Sequence, residues 1–125
     1  MVIVDSDVLI WILRGVPEVH ARFKEAVVAT DARLFITPVQ QAEILAGVRV
    51  KERLKVEQFL ESLDVIPIDG RMGRLAGEFM LKYGKSHSVK IADALIGAAA
   101  KVSECTLWTL NRKHYPMFHD KDFFG

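Results

Sequence analysis

The aspartate at position 93 is the acidic side chain whose setting most needs a chemical reason. It lies in the segment SVKIADALIGAAA, and on a helix Val89, Ile96 and Ala100 would share its face. An aspartate on such an apolar face needs a partner, and Lys90, the nearest basic residue in sequence, points to another face. The pattern therefore indicates a carboxylate used for binding or catalysis, with a salt bridge as the alternative.

Two further acids, Asp5 and Glu43, are expected near the same place. Asp5 follows the short β-branched run Val2–Val4, and ligands of open α/β sheets bind at the carboxyl ends of such strands. A role as a helix N-cap is the structural alternative for Asp5. Glu43 lies in PVQQAEILAGV, where Val39 and Ala46 fall on its helical face, and an ion pair with a lysine or arginine is its alternative.

Together these acids predict a site for a divalent metal ion. Carboxylates that are brought together repel one another and raise one another's pKa, and a bound cation relieves that repulsion. Magnesium prefers hard oxygen ligands, keeps several waters and can activate a water against a phosphodiester. Asp7 is expected to support the site, although the first turn of a helix is an equally good reason for an acid at this position.

The elements that would position these acids alternate between strands and helices. Apolar runs predict strands at 2–4, 34–36, 63–68 and 106–109, with a possible fifth near the C-terminus. Helices are predicted at 7–13, 18–29, 38–48, 51–62, 70–83 and 88–102, with Thr37 and Asp69 as caps and Gly84 as a stop. We expect an α/β fold, a three-layer α/β/α sandwich with a mostly parallel four- or five-stranded sheet, as a single domain over 1–125.

Composition sets few limits on the partners of this chain. Its 125 residues carry a formal net charge of +1, so nucleic-acid binding would need a local basic patch. Cys105 is the single cysteine, which excludes an internal disulfide and fits a reducing cytoplasm. The N-terminus lacks the pattern of a signal peptide, and we expect no membrane-spanning segment.

Four segments, in order along the chain, resemble the motifs of PIN-domain nucleases and in particular of VapC-type toxins. These segments are VIVDSDVLIWILRG, TPVQQAEILAGV, KIADALIGAAA and LWTLNRKHYPMF, and the resemblance covers essentially the whole chain. It implies a magnesium- or manganese-dependent endoribonuclease that cuts structured RNA such as tRNA or rRNA. It also implies a homodimer and an antitoxin whose C-terminal segment blocks the acidic pocket.

The resemblance, carried over residue by residue, assigns three metal-site acids and three supporting positions. The acids are Asp5, Glu43 and Asp93, and the supporting residues are Ser6, Asp7 and Thr109. The closing motif departs from the family, because Asn111 and His114 stand where a further acid is common. Asn111 can still accept a hydrogen bond from a metal-bound water, so the fourth ligand and a second metal ion stay open at this point.

Basic residues near the motifs are candidates for contacts with RNA phosphates. They are Arg14, Arg49, Lys90, Arg112 and Lys113. Contacts of this kind give salt-dependent binding without reading the base sequence. For each of them, simple solvation at the protein surface is the alternative.

Two other functions are open from the sequence. The run Asp5-Ser6-Asp7-Val8 after a hydrophobic strand also resembles the first motif of haloacid-dehalogenase-like phosphatases, with Asp5 as the nucleophile. That chemistry needs an acidic pair after a later strand, where this chain offers Thr109 and Asn111. The other possibility is a PIN module that has lost catalysis and only binds RNA or a partner protein.

Three further signals predict structural roles. Gly84-Lys85-Ser86 looks like the end of a phosphate-binding loop, but Phe79 stands where that motif needs glycine, so we expect a helix stop followed by a cap. Trp11 and Trp108 lie in apolar runs and are expected in the core. Four polar residues near the C-terminus are expected to be solvated rather than zinc ligands: His114, His119, Asp120 and Asp122.

Overall fold

Asp5, the acid predicted at the end of the first strand, lies at one edge of a parallel sheet. The structure, a computed structural model, describes residues 1–31 and 33–125. Within them four strands pair in the order β3-β2-β1-β4. The strands are β1 (Val2–Val4), β2 (Leu34–Ile36), β3 (Asp64–Val65) and β4 (Thr106–Trp108). Because β1 lies between β2 and β4, the residue that follows it, Asp5, emerges at the middle of the carboxyl edge.

Helices cover both faces of this sheet. The described residues form six α-helices, α1 (Ser6–Leu13), α2 (Pro17–Ala29), α3 (Pro38–Ala46), α4 (Arg53–Glu61), α5 (Gly70–His87) and α6 (Ile91–Val102). Short 3-10 turns span Val50–Glu52, Arg112–His114 and Asp120–Asp122. Along β1, Ile3 packs with the α5 and α6 side chains, whereas Val2 and Val4 pack with those of α1, α2 and α4. Successive strand residues point to opposite faces, so the three-layer α/β/α prediction is confirmed.

Helix α3 begins where the Thr37-Pro38 pair predicts. Thr37 is the N-cap, and its hydroxyl accepts a hydrogen bond from the backbone N–H of Val39 at 3.1 Å. Pro38 fills the first turn, where a missing N–H costs nothing, and Gln40 completes a capping box. Asp69 caps α5 in the same manner by accepting from the N–H of Met72 at 3.0 Å. These caps fix the directions in which α3 and α5 leave the sheet.

The region around Gly84 differs from the prediction. Helix α5 continues through Gly84-Lys85-Ser86 to His87 and ends at Ser88, whose φ of 53° is left-handed. A glycine inside a helix costs only about 1 kcal/mol, and the packing of α5 along α6 offsets that cost. The predicted stop at Gly84 and the cap after it are therefore wrong, and α6 begins at Ile91 rather than Ser88.

Smaller differences occur at the edges of the fold. The third strand covers only Asp64–Val65, and the possible fifth strand is reduced to a parallel bridge between Leu107 and Phe123. Trp108 is 1% exposed as expected, but Trp11 is 44% exposed, because α1 buries the face that carries Val8, Leu9 and Ile12. None of the helices in the described residues combines the length and apolarity needed to cross a bilayer.

Candidate functional site

Asp5 is surrounded by hydrogen-bond donors at the carboxyl edge of the sheet. Its side chain is 7% exposed. The oxygen Oδ1 accepts from the backbone N–H of Ser6 at 2.8 Å, and Oδ2 accepts from the hydroxyls of Thr109 and Tyr115, each at 2.8 Å. Donors of this kind stabilise the ionised carboxylate and fix its orientation. One backbone N–H and two side-chain hydroxyls therefore hold Asp5 in place.

Glu43 reaches the same edge from α3. The hydroxyl of Ser6 donates to its Oε1 at 2.7 Å. The buried Gln40 sets this approach, because its Nε2 donates to the carbonyl of Val4 at 3.1 Å, one residue before Asp5. Glu43 follows Gln40 by about one helical turn and so projects on the same side of α3. It is exposed, and no lysine or arginine of the described residues forms an ion pair with it.

Asp93 lies in the first turn of α6, close to Asp5. The phenol oxygen of Tyr115 is 3.5 Å from Asp93 Oδ1 and donates its proton to Asp5, so one hydroxyl lies between two carboxylates. On the other side, His114 Nδ1 is 3.6 Å from Asp93 Oδ2. Burial, and then the negative charges of Asp5 and Glu43, raise the pKa of Asp93, while His114 and Tyr115 lower it. The apolar helix face predicted around Asp93 is only partly buried, because the Asp93 side chain is 23% exposed.

Asp7 connects α1 to the segment after β4. Its Oδ2 accepts from the backbone N–H of Leu110 at 3.0 Å, and its Oδ1 accepts from the N–H of Val8 at 2.7 Å. The hydroxyl of Thr109 lies 3.3 Å from the same Oδ2. Burial, followed by the charge of Asp5, raises the pKa of Asp7 to about 6. Asp7 is thus both a first-turn acid of α1 and a part of the carboxylate cluster.

Several residues that contact the acids were not assigned to the site from the sequence. Tyr115 and Gln40 were not singled out, although both are fully buried and bond to the site. His114 is exposed as expected, but the sequence did not indicate that its Nδ1 contacts Asp93. The amide nitrogen of Asn111 lies 2.9 Å from His114 Nε2, so Asn111 reaches the acids through the histidine. Only their place in the closing motif could have indicated His114 and Tyr115.

The oxygen atoms that this cluster gathers are suitable ligands for a hard divalent cation. The cluster supplies carboxylate and hydroxyl oxygens, and mutual repulsion helps to raise the pKa of Asp7 and of Asp93. Among residues 1–31 and 33–125, no three acidic, histidine or cysteine side chains converge closely enough to hold an ion by themselves. Magnesium usually takes one or two carboxylates and completes its shell with waters and substrate phosphate, so this looser arrangement suits it.

Two open clefts lie beside the cluster. The first, here called the α1–α3 groove, has a volume of about 620 Å³ and contains Glu43. Its other lining residues are Ile10, Leu13, Arg14, Ile44, Gly47, Val48, Arg49, Glu52 and Val56. The second, the β4 cleft, has a volume of about 500 Å³ and contains Arg112 and Lys113. Lys90 is the exposed N-cap residue of α6 and lines neither cleft.

A family model and similar relatives point to the same protein family. A family model described as the PIN domain matches residues 2–120. The ribonuclease VapC10 of Mycobacterium tuberculosis is 43% identical over 119 residues, which cover 94% of this chain and 88% of that relative. A second ribonuclease of that organism, VapC19, is 29% identical over 121 residues, which cover 96% of each chain.

Solved structures share the fold at low sequence identity. A chain of a toxin–antitoxin complex from Klebsiella pneumoniae superposes with a TM-score of 0.81 at 19% identity, covering 100% of this chain and 97% of that one. A chain of a DNA-bound VapBC complex from Salmonella typhimurium gives a TM-score of 0.78 at 18% identity, with 91% and 89% of the two chains covered. At these identities the likeness supports the fold alone.

Proposed function

This chain belongs to the PIN-domain family, and we propose that it is a divalent-metal-dependent endoribonuclease, the toxin of a VapBC-type pair. The observation that carries the proposal is the convergence of Asp5, Glu43 and Asp93, from β1, α3 and α6, around two shared hydroxyl groups. Relatives named as VapC ribonucleases support the activity. Family membership also displaces the phosphatase alternative, which needs an acidic pair where this chain has Thr109 and Asn111.

We assign metal binding to Asp5, Glu43 and Asp93, with magnesium as the expected ion and manganese as a substitute. Asp5 is the fixed member, because three donors hold its carboxylate. Glu43 and Asp93 are more exposed and have carboxylate oxygens available for an ion or its waters. Ser6, Asp7 and Thr109 support these acids, and Asn111 acts through His114.

An ion held by Asp5, Glu43 and Asp93 would supply a nucleophilic water and neutralise charge on the phosphodiester under attack. The residues of this chain contribute position and electrostatics. Tyr115 holds Asp5 beside Asp93, and Ser6 holds Glu43 on the opposite side of Asp5. His114 places its Nδ1 3.6 Å from Asp93 Oδ2, on the side of Asp93 away from Asp5, and so limits how that carboxylate can turn. The half-buried setting strengthens each of these interactions relative to open water.

The proposed partners are RNA, an antitoxin and a second copy of this chain. Solved relatives are named as complexes of toxin with antitoxin. We propose that the antitoxin's C-terminal segment binds in the α1–α3 groove, whose apolar floor of Ile10, Leu13 and Ile44 leads to Glu43. An amphipathic helix or extended segment suits a groove of this kind. Cellular RNA as the substrate implies action in the cytoplasm.

Cleavage of RNA by the purified protein, freed of antitoxin, tests this function. We expect scission of a structured RNA with magnesium or manganese and no scission with EDTA. Asp93→Asn should lose cleavage by at least about 100-fold while it stays folded, because the carboxylate is assigned to hold the ion that would act on the reacting phosphate. Equal cleavage by Asp93→Asn would contradict the assigned site. RNA binding without cleavage in either metal would favour a PIN module that has lost catalysis.

A further inference from the structure

The β4 cleft concentrates positive charge that the proposed function does not yet use. Its walls carry Arg22 from α2 together with Arg112 and Lys113 from the turn after β4. None of the described residues that line it is acidic. No sequence pattern groups Arg22 with the other two residues, because only the fold brings α2 close to this turn.

We propose that the β4 cleft is the site that binds the phosphates of the RNA strand next to the scissile bond. This inference rests on the proposed ribonuclease function and adds to it the surface by which substrate is held. The ligand class is a single-stranded polyribonucleotide, bound through its phosphodiester charges and not through its bases.

The floor of the cleft is the same segment that holds the acids. Thr109 donates to Asp5, and the N–H of Leu110 donates to Asp7. Asn111 contacts His114, which contacts Asp93. All three residues also line the β4 cleft. The acids and the cleft therefore share one segment of the chain, so that an RNA strand bound at the acids can continue into the β4 cleft.

The two arginines of the cleft are held in place by contacts with aromatic rings. The guanidinium carbon of Arg22 lies 5.9 Å from the ring centroid of Trp108, and that of Arg112 lies 4.8 Å from the ring of Phe123. Arg112 also donates to the carbonyl of Gly125 at 3.1 Å. In the described part of the chain, neither arginine forms a salt bridge, nor does Lys113. Stacking of this kind orients a guanidinium while its charge remains available for phosphate.

The α1–α3 groove is the other surface beside the acids, and its charge argues against RNA. Arg14 and Arg49 share that groove with Glu43 and Glu52, so the formal charges of its lining cancel. The rest of the lining is largely apolar, which suits a protein segment rather than a phosphate chain. The RNA strand is therefore assigned to the β4 cleft.

The test is binding of a fluorescently labelled single-stranded RNA oligonucleotide in EDTA, where no cleavage interferes. Arg22→Gln/Arg112→Gln/Lys113→Gln should weaken binding at least tenfold. Each lost phosphate contact lowers the slope of log K against log salt by about 0.7, so the triple change should lower it by about 2. The matched control is Arg71→Gln/Arg74→Gln/Lys82→Gln, which removes the same charge from exposed positions of α5.

Two comparisons keep the result interpretable. Lys113→Gln alone changes one exposed residue, so it should fold normally and still reduce the slope by about 0.7. Arg14→Gln/Arg49→Gln should leave RNA affinity within about twofold of the parent. The inference is overturned if the cleft variants bind RNA like the α5 control, or if the groove variant loses more affinity than they do. Cleavage by the parent in magnesium is scored separately, so a failed ribonuclease function is distinguishable from a failed binding site.

Discussion

The carboxylate cluster has a buried end and an exposed end, and the two are built differently. At the buried end, Asp5 is 7% exposed and accepts from Ser6, Thr109 and Tyr115. At the exposed end, Glu43 accepts one hydrogen bond within the described residues, from the hydroxyl of Ser6. The difference indicates that the buried end is part of the fold, whereas the exposed end keeps oxygens free for a metal ion and its waters.

The buried end should therefore matter for stability and the exposed end for function. Asp5→Ala removes the nearer of the two carboxylate acceptors of the Thr109 and Tyr115 hydroxyls, so we expect a loss of about 2 kcal/mol in the free energy of unfolding. Glu43→Ala should change it by less than about 1 kcal/mol, because the residue is exposed. Urea titrations in EDTA measure both. Equal losses of unfolding free energy in the two variants would contradict this distinction between the buried and the exposed end of the cluster.

Tyr115 lies between Asp5 and Asp93, and its hydroxyl can be removed without changing the ring. Tyr115→Phe should cost about 1 kcal/mol of unfolding free energy and weaken manganese binding about tenfold, because Asp5 loses a donor that orients it beside Asp93. Calorimetric titration gives the affinity. Tyr83→Phe is the control, since that half-buried ring lies on α5 and forms no side-chain hydrogen bond within the described residues. A drop in stability without any change in metal affinity would make Tyr115 purely structural.

The contribution of Asp7 to stability depends on pH. Its pKa is about 6 in the folded protein against an ordinary value of 3.8, so between these values the folded state holds a proton that the unfolded chain has released. Stability from this group is therefore greatest at low pH and is lost as the pH rises to about 6. Solvent screening at this half-buried group leaves an effect of about 1 kcal/mol.

Asp7→Asn removes that titration. Measured in EDTA, the variant should gain about 1 kcal/mol relative to the parent between about pH 4.5 and about pH 7. Thermal unfolding at the two pH values gives the comparison. A difference between variant and parent that is the same at both pH values would show that Asp7 carries no perturbed charge.

Local patterns were enough to predict most of the scaffold. The apolar run Val2–Val4, the Thr37-Pro38 helix start and the Asp69 cap each act over a few residues, so they can be read directly from the sequence. The helix end predicted at Gly84 was wrong, because a single glycine destabilises a helix only slightly and the packing of α5 on α6 offsets that cost. The acids were also accessible to sequence reasoning, since a charge within an apolar pattern needs an explanation.

The contacts of Tyr115 and Gln40 at the site were not predictable, because they join distant parts of the chain. Tyr115 and Asp5 are 110 residues apart, and Gln40 and Val4 are 36 apart. Tyr115 lies in an aromatic segment that by itself indicates core packing, and nothing local marks its hydroxyl as a bridge between carboxylates. Arg22 was overlooked for the same reason, since it joins the β4 cleft only when α2 packs against the end of β4.

The central claim is that side chains from separate elements bind one divalent metal ion, and manganese binding followed by electron paramagnetic resonance tests it directly. The parent should remove free manganese from solution, and Asp93→Asn should bind at least about tenfold more weakly with its fold intact. Asp122→Asn is the control, because that acid pairs with Lys101 outside the cluster. If Asp93→Asn binds manganese as tightly as the parent, the metal site is not at this cluster and the account is contradicted.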